Sequence, residues 1–444
     1  MFFIFLSVVF TAAAFAEPTA LQKNAEQFVD RLSTGDFNAA VGNFDPTMTK
    51  AMPAPVLKQT WEALAAQCGA FGKRLDFRTE KYQQYDITYV TCQFEKVTLD
   101  AKIVFSPNGK ISGLFFVPAK SAAEIKQESK PVPLPDYIKP DSFTEKEITF
   151  GKEPWILPGT LTIPKGNGPF AVIVLVHGSG PNDRDETIGP NKPFKDLAWG
   201  LASKGIAVLR YEKRTLRYQT QLAKDCNDLT VWQETVDDAA TAVDFLAATP
   251  QIDKHRIFVL GHSLGGMLIP RIAGENKTIA GFVIMAGTTR PMEDSIFDQL
   301  KYIAMLDGKI SPEERKALAG IQKQVEMVKS PSLTKETSHA QIFNAPPGYW
   351  LDLRGYNPAV EAKIITQPIL ILQGQREYQV TMDDFEGWKK ELGGKPNVEF
   401  KLYLDLNHLF ITGKKKCRPE EYMISGHVAD EVINDITTWV NKVK

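Results

Sequence analysis

A serine acts as a nucleophile when a turn presents it, a base takes its proton and oriented N–H groups receive the charge that develops on a carbonyl oxygen. The run Gly261-His262-Ser263-Leu264-Gly265-Gly266 offers the first of these. It follows a strand-length apolar stretch at residues 257–261 and opens a helical pattern over 264–273, which is the context a Gly-x-Ser-x-Gly run requires. Glycines two places before and after Ser263 remove side chains that would clash as the turn closes. The start of a helix adds positive potential and the N–H of Leu264. An inert serine on a tight turn has the same spacing, so the partners matter. The chain has six histidines: His177, His255, His262, His339, His408 and His427. His408 ends Asp405-Leu406-Asn407-His408, directly after a strand-like stretch at 398–404. Glu377 is the first carboxylate after another, at 368–373, with Asp383 and Asp384 a little further on.

These segments need elements to hold them. Apolar runs of strand length occur at 171–176, 206–211, 257–261, 280–286 and 368–373, with 398–404 after them. Helical patterns lie between most of them, around 194–204, 232–248, 264–273 and 385–392. Short buried strands alternating with helices imply an α/β fold with a largely parallel sheet covered on both faces. Two extended segments at 143–150 and 155–163 are placed to open that sheet as a hairpin. From about 287 to 366 helical patterns stand where a strand is due, so this stretch is expected to be an insertion over the catalytic edge. Its Phe343, Pro346, Pro347, Tyr349, Trp350 and Leu351 suit either an acyl or aryl pocket or simple packing of the insertion.

Val176-His177-Gly178-Ser179-Gly180-Pro181-Asn182-Asp183-Arg184-Asp185, Gly261-His262-Ser263-Leu264-Gly265-Gly266, Leu372-Gln373-Gly374 and Leu406-Asn407-His408 together resemble bacterial carboxylesterases. The branch is the dienelactone-hydrolase-like and acyl-peptidase-like group of α/β hydrolases, and the resemblance covers about 141–444. It implies a doubly wound, mostly parallel sheet with a helical lid insertion, and a triad in the chain order Ser263, Glu377, His408. Asp383 and Asp384 are the alternatives for the acid, although either suits the N-terminus of the following helix. The loop after the strand at 171–176 would supply the second oxyanion donor beside Leu264. The N–H of Ser179 is the candidate and that of Gly180 the alternative, with His177 bracing the loop. His427 then reads as a surface residue, His255 as part of the turn before the nucleophile strand, His339 as part of the insertion and His262 as part of the elbow. Dienelactone hydrolases proper use a cysteine nucleophile, so Ser263 argues against that reaction. The charged runs Asn182-Asp183-Arg184-Asp185-Glu186 and Arg210-Tyr211-Glu212-Lys213-Arg214 are balanced in sign, which favours mutual bracing over recognition of a charged substrate.

Ahead of this region, Phe28, Leu32, Phe37, Ala40, Val41 and Phe44, then Leu57, Trp61 and Leu64, follow helical spacing. Extended segments succeed them at 77–94, 97–105 and 111–117, with a Pro107-Asn108-Gly109 turn. Helices followed by an antiparallel sheet make a small α+β domain over 17–120. It resembles the uncharacterised NTF2-like domain that precedes some bacterial α/β hydrolases. Homodimer formation, surface binding and shading of the active site are its open roles. Residues 121–140 carry Pro131, Pro133, Pro135 and Pro140 and read as a linker.

Residues 1–16 are almost wholly apolar, end Ala14-Phe15-Ala16 and meet Glu17-Pro18, as a cleaved signal peptide would; the run is short of the about 20 residues of a membrane span. A secreted or periplasmic chain is expected. Four cysteines fit that compartment, with Cys68–Cys92 and Cys226–Cys417 the natural pairs if the two regions fold separately, and four free thiols the alternative. The 444 residues are 43% hydrophobic and 24% charged with a net charge of −1, so no field gathers nucleic acid or anionic membrane. The expected activity is hydrolysis of a small-molecule carboxylic ester through an acyl-enzyme, with no metal or cofactor. A peptidase or amidase, an acyltransferase, and a non-catalytic binding protein on the same fold are the rivals.

Overall fold

The computed structural model describes residues 19–82, 85–119, 133–222 and 226–443. The apolar segment at 1–16 therefore lies outside the described residues. The chain divides into two compact units between Pro131 and Val132.

The first unit opens with α1 (Ala20–Thr34), α2 (Phe37–Val41), α3 (Pro46–Ala51) and α4 (Ala54–Cys68). Thr19 and Gln22 form a capping box at the start of α1, and Gly35, in the left-handed region at φ 77°, ends it. Four strands follow: β1 (Phe71–Tyr82), β2 (Tyr85–Phe94), β3 (Thr98–Phe105) and β4 (Ile111–Pro118), paired in sequence order and antiparallel. The stretch expected as one extended segment at 77–94 is thus two strands. Phe28, Val29 and Leu32 of α1, with Leu57 and Trp61 of α4, pack on Val90, Ala101, Ile103 and Phe105. Cys68 and Cys92 are free, and so is Cys417, which removes both expected disulfide pairs. Cys92 lies in the core and its Sγ is engaged with the Val90 carbonyl at 3.3 Å, while Cys417 is buried among Tyr378, Leu409 and Tyr422.

The second unit is built on eight strands: β5 (Phe143–Lys152), β6 (Trp155–Pro164), β7 (Phe170–Val176), β8 (Ala207–Tyr211), β9 (Ile252–His262), β10 (Gly281–Met285), β11 (Ile369–Gly374) and β12 (Val398–Tyr403). Their order across the sheet is β12-β11-β10-β9-β7-β8-β6-β5. The β5–β6 and β6–β8 pairs are antiparallel and the other five parallel. This is the α/β-hydrolase fold expected from the sequence, with its opening hairpin and with the crossing of β7 and β8. His255, expected in the turn before the nucleophile strand, is within β9, exposed at its early end.

Strand side chains alternate faces, and both faces are apolar. Val172, Val174, Ile257, Val259, Phe282, Ile284, Ile369 and Ile371 line one. Over it lie α6 (Asp237–Ala247), α7 (Leu264–Met267), α8 (Ile269–Glu275) and α12 (Met382–Leu392). Ile173, Leu175, Phe258, Leu260, Val283, Met285, Leu370 and Leu372 line the other, under α5 (Pro193–Ala202) and α13 (Asp430–Lys442). Val432, Ile433, Ile436, Trp439 and Val440 give α13 one buried stripe, at the spacing a helix requires. Tyr137 and Ile138, in the segment read as a linker, are buried in this second core, and the Tyr137 hydroxyl donates to the Val428 carbonyl at 2.7 Å.

Between β10 and β11 lies the insertion, with α9 (Met292–Ala304), α10 (Pro312–Lys329) and α11 (Pro347–Leu353). Ser311 and Glu314 form a capping box on α10. Tyr349 and Trp350 are buried in the larger core and the Trp350 indole donates to the Ile342 carbonyl at 2.9 Å, so these two aromatics pack the insertion down. No helix among the described residues is long and apolar enough to cross a membrane. Trp388 of α12 is fully buried and donates to the Gly287 carbonyl at 2.7 Å. Trp388→Ala should therefore cost about 3–5 kcal/mol through the cavity it leaves, read as a lower denaturant midpoint for the second unit; an unchanged midpoint would contradict this packing.

Candidate active site

Ser263 follows directly on β9 with φ 52° and ψ −114°, a backbone region that L-residues rarely occupy, and α7 begins at the next residue. Its N–H donates to the Met285 carbonyl at 2.9 Å and its own carbonyl accepts from Met267 N–H at 2.9 Å, so the turn is held from both sides. There is no room beside it for other side chains. A Cβ on Gly261 would lie 2.6 Å from Gly266 N, and one on Gly265 would lie 2.8 Å from the His177 carbonyl. The two motif glycines are thus demanded by close backbone approach. Ser263 itself is half-buried at the C-terminal ends of the parallel strands.

The loop after β7 runs alongside. Gly178 N–H donates to Glu186 Oε1 at 2.6 Å, and the Gly178 carbonyl accepts from Lys213 Nζ at 2.7 Å and from the Asn182 amide at 3.1 Å. The Asn182 amide also reaches the carbonyls of Ser179 and Gly180, at 3.0 and 3.3 Å. Among the described residues, the N–H groups of Leu264, Ser179 and Gly180 donate to no protein acceptor. His177 braces this loop. Its Nε2 lies 3.0 Å from the Asp183 carbonyl and its ring packs against Phe194 and Tyr211. Burial pushes its pKa down to about 4.

Glu377 lies just past β11 and His408 just past β12. Their side chains meet in a buried contact, Oε2 to Nδ1, of 2.7 Å. The loops carrying them touch along the backbone. Arg376 N–H donates to the Leu406 carbonyl at 3.1 Å, and a Cβ on Gly374 would lie 2.6 Å from that same oxygen. Asn407 Oδ1 accepts from the N–H groups of Leu409 and Ile411 at 3.0 and 3.1 Å, closing the His408 loop on itself. Burial lowers the His408 imidazole well below the ordinary histidine range, and the neighbouring His262 charge pushes the same way. Burial raises the Glu377 carboxyl, against the Gln373 amide, which favours its ionised form.

The alternatives for the acid are engaged elsewhere. Asp384 is wholly buried and accepts from Thr288 Oγ1 at 2.8 Å, from Thr289 N–H at 2.9 Å and from Arg290, at the entry to the insertion; Asp383 is exposed. His427 is half-buried rather than on the surface, and its Nδ1 lies 2.9 Å from Asp196. His339, in the insertion, has Nε2 2.7 Å from Asn227 Oδ1.

His262 holds a position its place in the motif does not disclose. Its Nδ1 lies 2.8 Å from Glu186 Oε2, its Nε2 lies 3.0 Å from the His408 carbonyl, and the two imidazole centroids are 4.6 Å apart. Nε2 thus has a carbonyl acceptor and Nδ1 a carboxylate oxygen at ion-pair distance, a setting that favours the protonated ring. Burial opposes that charge, but Glu186 outweighs it and raises the His262 pKa. Glu186 thereby joins the loop after β7, the Ser263 elbow and the His408 loop. The two charged runs also brace each other: Arg184 meets Glu212 at 2.8 Å, and Arg210 pairs with Asp185. Lys213 Nζ meets Glu234 at 2.6 Å on the π-helical turn Trp232–Val236. Glu234 was not legible as a partner, because a lone acid in a helical pattern carries no spacing signal.

Comparison with known proteins agrees with this architecture. Residues 167–414 match the family described as serine aminopeptidase, S33, and residues 25–114 match a protein family of unknown function, DUF3887. Esterase EstD of Thermotoga maritima is 40% identical over 439 residues, which are 99% of each chain. Among solved structures, an esterase of Pyrococcus furiosus is 18% identical with a TM-score of 0.44, over 68% of this chain and 92% of that one. Est1E from Butyrivibrio proteoclasticus is 14% identical with a TM-score of 0.43, over 67% and 99%. With more than half of its length matched, and a relative alike from end to end, the chain belongs to the serine aminopeptidase S33 family of α/β-hydrolase-fold proteins.

Proposed function

We propose that the chain is a serine carboxylesterase in which Ser263, His408 and Glu377 form the catalytic triad. The observation that carries this reading is the buried 2.7 Å contact between Glu377 and His408, on loops adjoining the strained Ser263 turn. The esterase relative, alike along the whole chain, supports the substrate class. His408 takes the Ser263 hydroxyl proton through Nε2 as the oxygen attacks the ester carbonyl carbon. The N–H groups of Leu264 and Ser179 hold the resulting oxyanion. Collapse breaks the C–O bond, His408 returns the proton to the departing alcohol, and the acyl group remains on Ser263. Water, deprotonated by His408, then releases the carboxylic acid. Glu377 holds the imidazole in the tautomer this needs, with hydrogen on Nδ1. The chemistry at each step is supplied by side chains and backbone N–H groups.

The family description keeps amides in view as a second substrate class, since the same triad cleaves them. Export completes the proposal: removal of residues 1–16 would leave Glu17 as the mature N-terminus, which N-terminal sequencing of the exported protein tests directly.

The first experiment is hydrolysis of p-nitrophenyl esters from acetate to laurate, beside amino-acid p-nitroanilides. Ser263→Ala should lower ester kcat by at least about 10⁴-fold while the fold persists; a folded variant with unchanged activity sinks the assignment, and turnover of anilides alone moves it to a peptidase. Glu377→Gln should lower kcat by roughly 10²- to 10⁴-fold, whereas Asp384→Asn, if it folds, should retain most of the wild-type kcat; the reverse outcome transfers the acid role to Asp384. The pH profile follows from the direction of the His408 shift. The base works only when neutral, and a lowered pKa keeps it neutral further into acid, so the acid limb of kcat/KM should fall below the ordinary value of 6.5. An acid limb above that value would show that burial does not govern the base.

A further inference from the structure

Lys213 is only 2% exposed, a charged side chain enclosed by protein. An ammonium taken out of water loses its hydration and is stable only where its hydrogens are met. Two of them are met, by Glu234 Oε1 at 2.6 Å and by the Gly178 carbonyl at 2.7 Å. The second contact matters for the chemistry because a peptide unit is planar and trans. The carbonyl of Gly178 and the N–H of Ser179 belong to one such unit and point in opposite directions. A cation fixed on the carbonyl therefore fixes where the Ser179 N–H points, and it polarises that N–H into a stronger donor.

The neighbouring groups sharpen the point. Gly178 N–H is occupied by Glu186, so the preceding peptide is pinned as well. The next peptide, which carries the Gly180 N–H, has among the described residues only the neutral Asn182 amide on its carbonyl. Of the two candidate donors in this loop, the one whose peptide holds a buried charge is Ser179. Glu234 balances that charge, and the turn that carries it places the pair under the loop.

We infer that Lys213, anchored by Glu234, is a positioning residue that orients and polarises the Gly178–Ser179 peptide as the second oxyanion donor. This rests on the acyl-transfer reading and deepens it, since it selects Ser179 over Gly180 and assigns the buried ion pair a task in the transition state.

The test removes both charges together, so that neither is left unpaired: Lys213→Met with Glu234→Gln, assayed with p-nitrophenyl butyrate and with an alkyl trifluoromethyl ketone, whose tetrahedral adduct with a serine places an oxyanion in the same site. The inference expects kcat to fall roughly 10- to 100-fold, somewhat less than loss of a whole donor because Asn182 remains. KM should stay within about threefold, and the ketone should weaken in proportion to kcat, a pattern that general loosening of the fold would not give. A folded double variant with wild-type kcat and ketone affinity overturns it. Should that variant not fold, Lys213→Gln with Glu234→Gln replaces the ion pair by two neutral amides and so removes the charge from the Gly178 carbonyl, and it is judged by the same criteria. The two readings fail separately. If wild type and Ser263→Ala are equally inactive on every ester and every anilide, the acyl-transfer reading falls; if wild type alone is active and the Lys213 variants match it, only the role of Lys213 falls.

Discussion

The polypeptide passes from strand to helix at one residue, Ser263, whose φ of 52° is held against a preference worth on the order of 1–3 kcal/mol. Strain of that size persists only where the surroundings leave the backbone no alternative. Here Met285 and Met267 hold the turn by hydrogen bonds, and glycines on both sides let other backbone segments come close enough to confine it. The two buried sheet faces set the rigidity of that frame. The parallel strands β7 to β11 are locked by apolar side chains above and below, so the loops at their C-terminal ends start from fixed points.

From those fixed points a second constraint operates, the cost of burying charge. Glu186, His262, Lys213, Glu234, Glu377 and His408 are all nearly inaccessible to water. Each group is stable only with a partner in reach, so the network behaves as a set of mutual requirements: Glu186 needs His262, Lys213 needs Glu234. The pairs cross between loops. Displacing one loop would strand a charge in another, which ties the geometry of the three segments together more tightly than packing alone.

What could be read beforehand follows the same division. The strands were legible because burial on both faces leaves continuous apolar runs, and Ser263 because its turn admits only glycine at two neighbouring places. Glu377 and His408 were legible as the first suitable groups after β11 and β12, and the structure brings them into contact. The mutual bracing of Arg184 with Glu212 and Arg210 with Asp185 was legible from balanced signs on neighbouring strand ends. Glu234 was not, since nothing local distinguishes an acid that meets a lysine 21 positions away from one that faces water. The state of the cysteines is not legible for a related reason: residue count and region say nothing about where a side chain points, and Cys92 points into an apolar core. Tyr137 and Ile138 show the reverse error, a proline-rich stretch whose tail carries enough apolar surface to join the core.

Asp384 gathers Thr288, Thr289 and Arg290 at the place where the chain leaves the sheet to begin its excursion of helices. That knot, on the first turn of α12, sets the direction in which the excursion departs: one buried carboxylate holds the Thr289 N–H and the Arg290 guanidinium at once, so the first residues after β10 are tied to the helix that follows β11. At its far end Tyr356 donates to the Met267 carbonyl, and Met267 in turn holds the Ser263 turn. The excursion is therefore moored to the sheet at both ends, and its start and its return are part of the same frame as the nucleophile.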